Sequence, residues 1–157
     1  CFPPCHGLPW LADVARLEWA MTRAAHARDA APVDAPRLAA VGPATALVLR
    51  LDPSVTFLGS PWPVDLVWRA HQVDGTPETI DLSGGPVEIE VRRLGDDVVM
   101  RRLDAASGAF RRALGAGQPL EAATAAALGS DAGFDLTTAL AELLAERLVA
   151  GFTVSIP

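Results

Sequence analysis

Cys1, Cys5 and His6 form the one tight group of metal-capable side chains in this chain. A Cys-x3-Cys-His run offers thiolate and imidazole donors, but a structural zinc site needs four ligands, drawn from a second and distant pair. That pair is missing: His26 and His71 stand far apart and within helical patterns. A disulfide between Cys1 and Cys5 would close only a trivial loop. The two cysteines read as free thiols in a segment entering from a preceding domain, and no metal or cofactor is expected. Other catalytic signatures are absent too. There is no GxSxG, no Gly-rich phosphate loop and no His/Glu metal pair, and Gly84-Gly85 reads as turn chemistry. The expectation is a binding protein, not an enzyme.

Charge is the remaining chemistry. Arg92, Arg93, Arg101, Arg102, Arg111 and Arg112 fall in a window of 21 residues. Either they form a solvated strand-and-helix face or they make a patch that meets an acidic ligand. The whole chain is acidic, with net charge -6 and a pI near 4.9. Such a chain is a poor general binder of polyanions, since nucleic-acid affinity rests on neutralised phosphates. All 13 cationic residues are arginine, and Lys, Asn and Tyr are absent. Those three need AT-rich codons, so a GC-rich gene explains their absence better than function does. At 157 residues, half of them hydrophobic, the chain can bury a core. No apolar run reaches the ~20 residues of a membrane span, and no signal peptide is visible. A cytoplasmic protein without membrane contact is expected.

The elements that must position these groups follow from periodicity. Trp10, Val14, Leu17 and Met21 recur at helical spacing and predict a helix over 10–28. Trp19 lies on a second face, which points to a contact outside the helix's own domain or to packing under a loop. Residues 30–36 read as a linker and 37–41 as a helical turn. Strands are predicted at 45–51 and 55–58, a helix at 63–70, a turn at 74–77 and a short strand at 78–82. In 87–94, Val87, Ile89, Val91 and Leu94 should face inward while Glu88, Glu90 and Arg92 face outward. Gly95-Asp96 makes a hairpin, and 97–103 returns with Val98, Val99 and Met100 consecutive, so one apolar side chain should face the other way. Helices follow at 105–114, 120–128 and 135–149. Gly115 and Gly117 stop the first, Pro119 opens the second, and Asp135 caps the third. In that third helix Leu136, Leu140, Leu143, Leu144 and Leu148 should face the core, and Thr137, Thr138, Glu142, Glu146 and Arg147 should lie open. Gly151 is a natural C′ residue, with a strand from 152 to 156. The expected fold class is α+β: an N-terminal helical segment, a small β-sheet, and a winged-helix-like tri-helical module. The chain divides into a connecting region, 1–77, and a recognition module, 78–157.

The stretches DDVVMRRLD, ASGAFRRALGAG, PLEAATAAAL and DLTTALAELLAERLVAGF resemble a PqqD-like recognition element for ribosomally made, modified peptides. The segments LPWLADVARLEWAMTRAAHARDAAPVD and LRLDPSVTFLGSPWPVDLVWRAHQ are similar to the HvfC/BufC family. That resemblance covers nearly the whole chain. It implies a partner protein of a multinuclear non-haem iron oxygenase that modifies cysteines in copper-handling peptides. Family members carry a further N-terminal helical region, often labelled DNA-binding, so the resemblance implies that this chain is the C-terminal part of a family member or a shortened one.

The implied mechanism is strand addition, in which a precursor peptide's leader pairs with the exposed edge of 97–103. Asp97, Val98, Val99, Met100, Arg101, Arg102 and Leu103 would bind the leader, with Thr138 and Glu142 supplying side-chain specificity. Arg101 or Arg102 would pair with acidic leader residues. Trp19, Met21 and Arg23 would meet the oxygenase. The alternative is a winged-helix DNA-binding regulator. It is disfavoured because neither 120–128 nor 135–149 is rich in the donors that read base edges.

Overall fold

The computed structural model describes residues 7–41, 46–72 and 80–155. The fold is mixed α+β, with six helices and two small antiparallel sheets among the described residues. In chain order these are α1 (Leu11–Ala25), α2 (Ala35–Ala39), β1 (Ala46–Leu51), β2 (Thr56–Ser60), α3 (Val64–Ala70), β3 (Val87–Leu94), β4 (Asp97–Leu103), α4 (Ala105–Gly115), α5 (Leu120–Ser130), α6 (Leu136–Ala145) and β5 (Val149–Ser155). Among the described residues no helix is long and apolar enough to cross a membrane.

One sheet runs β2-β3-β4 and the other pairs β1 with β5. Strands from before residue 77 therefore pair with strands from after it, Thr56 with Val91 and Leu49 with Phe152. Both cores also cross that line. Leu17, Ala20, Leu58 and Val64 pack with Ile89 and Val91, while Val33 and Leu49 pack with Phe110, Leu114 and Leu143. The division at residue 77 does not separate two structural units. The first half supplies strands without which the second would expose two further sheet edges.

The stripe on α1 packs as its spacing predicts, with Leu17 fully buried and Trp10, Val14 and Met21 beside it. Val87, Ile89 and Val91 face the same core, but Leu94 is exposed at the hairpin. The expected outward position of Glu90 is overturned: it is 1% exposed. The three-stranded sheet is covered on both faces, by α1 and α3 on one and by α4 on the other. Alternation along β3 therefore separates an apolar face from a buried charged one, not core from solvent.

Helix α4 lies close on that second face through two glycines spaced two turns apart. A Cβ at Gly108 would sit 2.9 Å from the Glu88 side chain, and one at Gly115 2.9 Å from the Phe57 ring. Its N-terminus is capped by Asp104, which accepts from the Ser107 N–H at 2.9 Å. It ends at Gly117, whose positive φ of 74° lets Gln118 N–H donate to the Ala113 carbonyl.

Helix α6 stops four residues earlier than its leucine pattern suggests. Glu146 is the C-cap and Arg147 adopts φ 59°. Arg147 N–H donates to the Leu144 carbonyl and Leu148 N–H to the Leu143 carbonyl, a Schellman closure with Leu143 and Leu148 both buried. Gly151 is thus no helix cap. It lies within β5, opposite Arg50. The strand expected at 78–82 falls partly on 73–79, outside the described residues, as does the turn at 74–77. Residues 80–82 are not extended into a strand.

Candidate functional site: the outer edge of β4 and the ion cluster behind it

β4 occupies an outer position in its sheet and pairs with β3 from Glu88–Leu103 to Leu94–Asp97. Among the described residues no strand pairs with its other edge. Val98 and Met100 pack into the α1 core, so Val99 takes the opposite face, where it is half-buried. That resolves the three consecutive apolar residues as expected.

The two arginines of β4 hold it from opposite faces. Arg102 lies on the Val98 and Met100 side and grips Asp65 of α3 with two hydrogen bonds, at 2.9 and 2.7 Å. The Asp65 hydrogen bonds raise the arginine's pKa further above its ordinary value, so it stays charged. Arg101 points the other way and makes a two-pronged contact with Glu146, at 2.7 and 3.0 Å. This fork-to-carboxylate geometry fixes side-chain orientation as well as charge.

Behind Arg101 lies a closed set of charges: Arg92, Arg101 and Arg111 against Glu90, Glu142 and Glu146. Arg111, itself 2% exposed, donates to Glu90 at 2.8 Å, to Glu146 at 3.2 Å and to Glu142 at 3.3 Å. Arg92 Nε lies 3.4 Å from Glu90 and Arg101 Nε 3.2 Å from the same oxygen. Those two contacts are ion pairs without hydrogen-bond alignment, and Glu90 Oε1 and Arg101 Nε have no hydrogen-bond partner. The network joins β3, β4, α4 and the end of α6.

Of the two readings of the arginine window, a solvated face or a patch for an acidic ligand, neither describes this arrangement. All six arginines of the window between 92 and 112 meet a carboxylate of their own chain. Arg93 pairs with Asp29 and Arg112 with Glu88, beside the four just described. Arg101 and Arg102 are engaged internally and are not free to meet a leader. Thr138 donates to Asp135 at 2.6 Å as part of the α6 N-cap, and Glu142 faces Arg111. Glu142 is thus a member of the network, and Thr138 belongs to the α6 cap. Of the three residues expected to meet an enzyme, Trp19 is 66% exposed, Met21 packs into the core, and Arg23 lies on the surface beside a groove.

His26 and His71 each satisfy Nδ1 on the carbonyl four residues back, at 2.8 and 2.7 Å. Cys1, Cys5 and His6 lie outside the described residues. On α5 the exposed positions are Glu121, Ala122, Ala125, Ala126, Leu128, Gly129 and Ser130, and on α6 they include Thr137, Thr138 and Glu142, so neither helix presents a cation or a side-chain amide there. Sequence reasoning missed the burial of Glu90. The available signal was the matched supply of Glu on β3 and Arg on α4, next to two helix glycines at a seven-residue interval. Comparison with protein-family models, curated proteins and solved structures found no match to this chain.

Proposed function

We propose that this chain is a non-catalytic peptide-binding protein that takes up the leader of a ribosomally made precursor as an added strand on β4. In this reading it is a cytoplasmic subunit that delivers the precursor to a multinuclear non-haem iron oxygenase, which modifies the peptide's cysteines. The observation that carries the reading is the outer edge of β4: paired on one side only among the described residues, and anchored by Arg101–Glu146 on one face and Arg102–Asp65 on the other. An incoming strand meets backbone donors and acceptors that are already in register, so little ordering is required of the receptor. The order of a three-stranded antiparallel sheet followed by α4, α5 and α6 supports a winged-helix-like, PqqD-like module. Affinity comes from main-chain hydrogen bonds, with Val99 and Leu103 on the charged face and Val98 and Met100 on the other offering side-chain contacts.

Adjacent N–H groups of an edge strand point alternately toward and away from the sheet. Val99→Pro and Met100→Pro therefore separate binding from folding. The variant whose N–H points outward should keep its circular-dichroism spectrum and lose at least about tenfold in affinity for the synthetic leader encoded beside the gene. The other should unfold the hairpin. Unchanged leader affinity in the folded proline variant removes β4 as the binding edge.

A further inference from the structure

We infer that a second surface, around Arg50, binds an acidic extended segment of a partner protein. It shares no residue with β4. Among the described residues Arg23, Arg28, Arg37, Arg50, Arg69 and Arg147 have no carboxylate within ion-pair distance, whereas the other arginines are all matched. Four of those six line two adjoining grooves. The larger, about 700 Å³, carries Arg23, Arg50 and Arg112 around Leu51, Phe57 and Leu114. The smaller, about 540 Å³, carries Arg28, Arg37 and Arg50. Arg50, Pro53 and Phe152 belong to both, so they form one continuous surface.

The carboxylates in these grooves are already used. Asp29 pairs with Arg93, and Asp52 accepts the N–H and hydroxyl of Ser54 at 2.9 and 2.6 Å. Two of the arginines are oriented without being neutralised. Arg50 extends across Gly151, where a Cβ would stand 2.5 Å from Nη2 and push the guanidinium aside, and Nη2 donates to the Ala150 carbonyl at 3.5 Å. Arg37 stands over the Phe152 ring, 5.9 Å from its centre. A planar guanidinium held in place and lacking a carboxylate is suited to take one from outside, often with two bonds.

The apolar floor selects the class of ligand. Leu51, Phe57 and Phe152, each partly exposed, fit apolar side chains set between acidic ones, which a peptide offers and a phosphate backbone lacks. The larger groove also follows residues 48–53, along β1, which pairs only with β5 among the described residues.

The test uses the full chain and fluorescence anisotropy with three probes: a labelled peptide of Glu and Asp with two Phe, its Gln/Asn counterpart, and a single-stranded oligodeoxynucleotide of equal charge. The acidic peptide should bind at least about tenfold tighter than either control, and more weakly as salt rises. Arg37→Ala/Arg50→Ala and, separately, Arg28→Ala/Arg37→Ala should each weaken it several-fold with melting curves unchanged. A folded β4 proline variant should bind it as the wild type does. Equal binding of the acidic and neutral peptides overturns the inference, as does tighter binding of the oligonucleotide. So does wild-type affinity in both arginine pairs, or loss of the probe in the β4 variant, which would move the peptide to the other edge.

Discussion

Arg111→Leu tests the ion cluster most directly. Arg111 and Glu90 are both almost fully buried and lie 2.8 Å apart. Removing one member of a buried pair typically costs about 3–5 kcal/mol, because the other charge is left in a poor solvent. Glu90 would keep Arg92 and Arg101 nearby, at 3.4 and 3.2 Å, but without aligned hydrogen bonds. The expected loss is therefore near the lower end, about 3 kcal/mol. For a chain of this length that corresponds to a fall of roughly 6–12 °C in melting temperature. Urea titration at neutral pH should show a lower midpoint with an unchanged slope. Glu90→Leu/Arg111→Leu leaves Arg92 and Arg101 against Glu142 and Glu146, a balanced set. It should cost less than Arg111→Leu alone, with a coupling of at least about 2 kcal/mol between the two sites. A loss below about 1 kcal/mol for Arg111→Leu, or simple addition of the two single effects, would refute the network as a coupled unit.

Asp104→Ala removes the α4 cap and should cost about 1 kcal/mol by urea titration. The Ser107 N–H, then its hydroxyl, hold the Asp104 carboxyl below its ordinary value of 3.8. Its contribution is therefore complete above that value and fades as pH falls through the lower folded one, so wild type and variant should converge in acid. Trp19→Ala should leave circular dichroism intact and stability within about 0.5 kcal/mol, since the ring is exposed. Under the proposed function, co-purification with the oxygenase should fall, and full retention would clear Trp19 of that role. Gly115→Ala presses a methyl against the Phe57 ring and should cost about 1–3 kcal/mol; a neutral or stabilising effect on thermal melting would mean that α4 can retreat from the sheet.

The local elements were legible because their signals are local. The Gly95-Asp96 hairpin, the Pro119 and Asp135 starts and the Gly117 stop all stand where residue chemistry puts them. The end of α6 was not, because a non-glycine residue, Arg147, takes the left-handed position there. Leu148 and Val149 continue the helical spacing, yet Leu148 closes the Schellman turn and Val149 opens β5 against Leu51. Tertiary pairing wins over periodicity at that point. Glu90 was misplaced for a related reason: period two separates faces but does not say which face is wet. The arginine window stayed open between two readings because spacing along the chain carries no information about partners such as Asp65 and Glu146, 37 and 45 residues away. The same limit hid the grooves, whose arginines come from α1, the segment after it, α2 and β1.

The division of the arginines gives the candidate sites their different characters. On β4 the cations are consumed by Asp65 and Glu146, so the edge offers a peptide mainly its backbone and the apolar parts of its side chains. Recognition there should tolerate varied leader charge and respond weakly to salt. Around Arg50 the cations are oriented but unmatched among the described residues, so recognition should depend on carboxylates and weaken as ions screen them. The function we propose, holding a precursor while docking on a larger partner, needs two contacts that do not compete. A strand-accepting edge and a charge-selective groove meet that need, because a ligand suited to one gains little from the other. Leader affinity in the Arg37→Ala/Arg50→Ala variant should accordingly equal that of the wild type, and a matching loss at both sites would mean that a single ligand spans them.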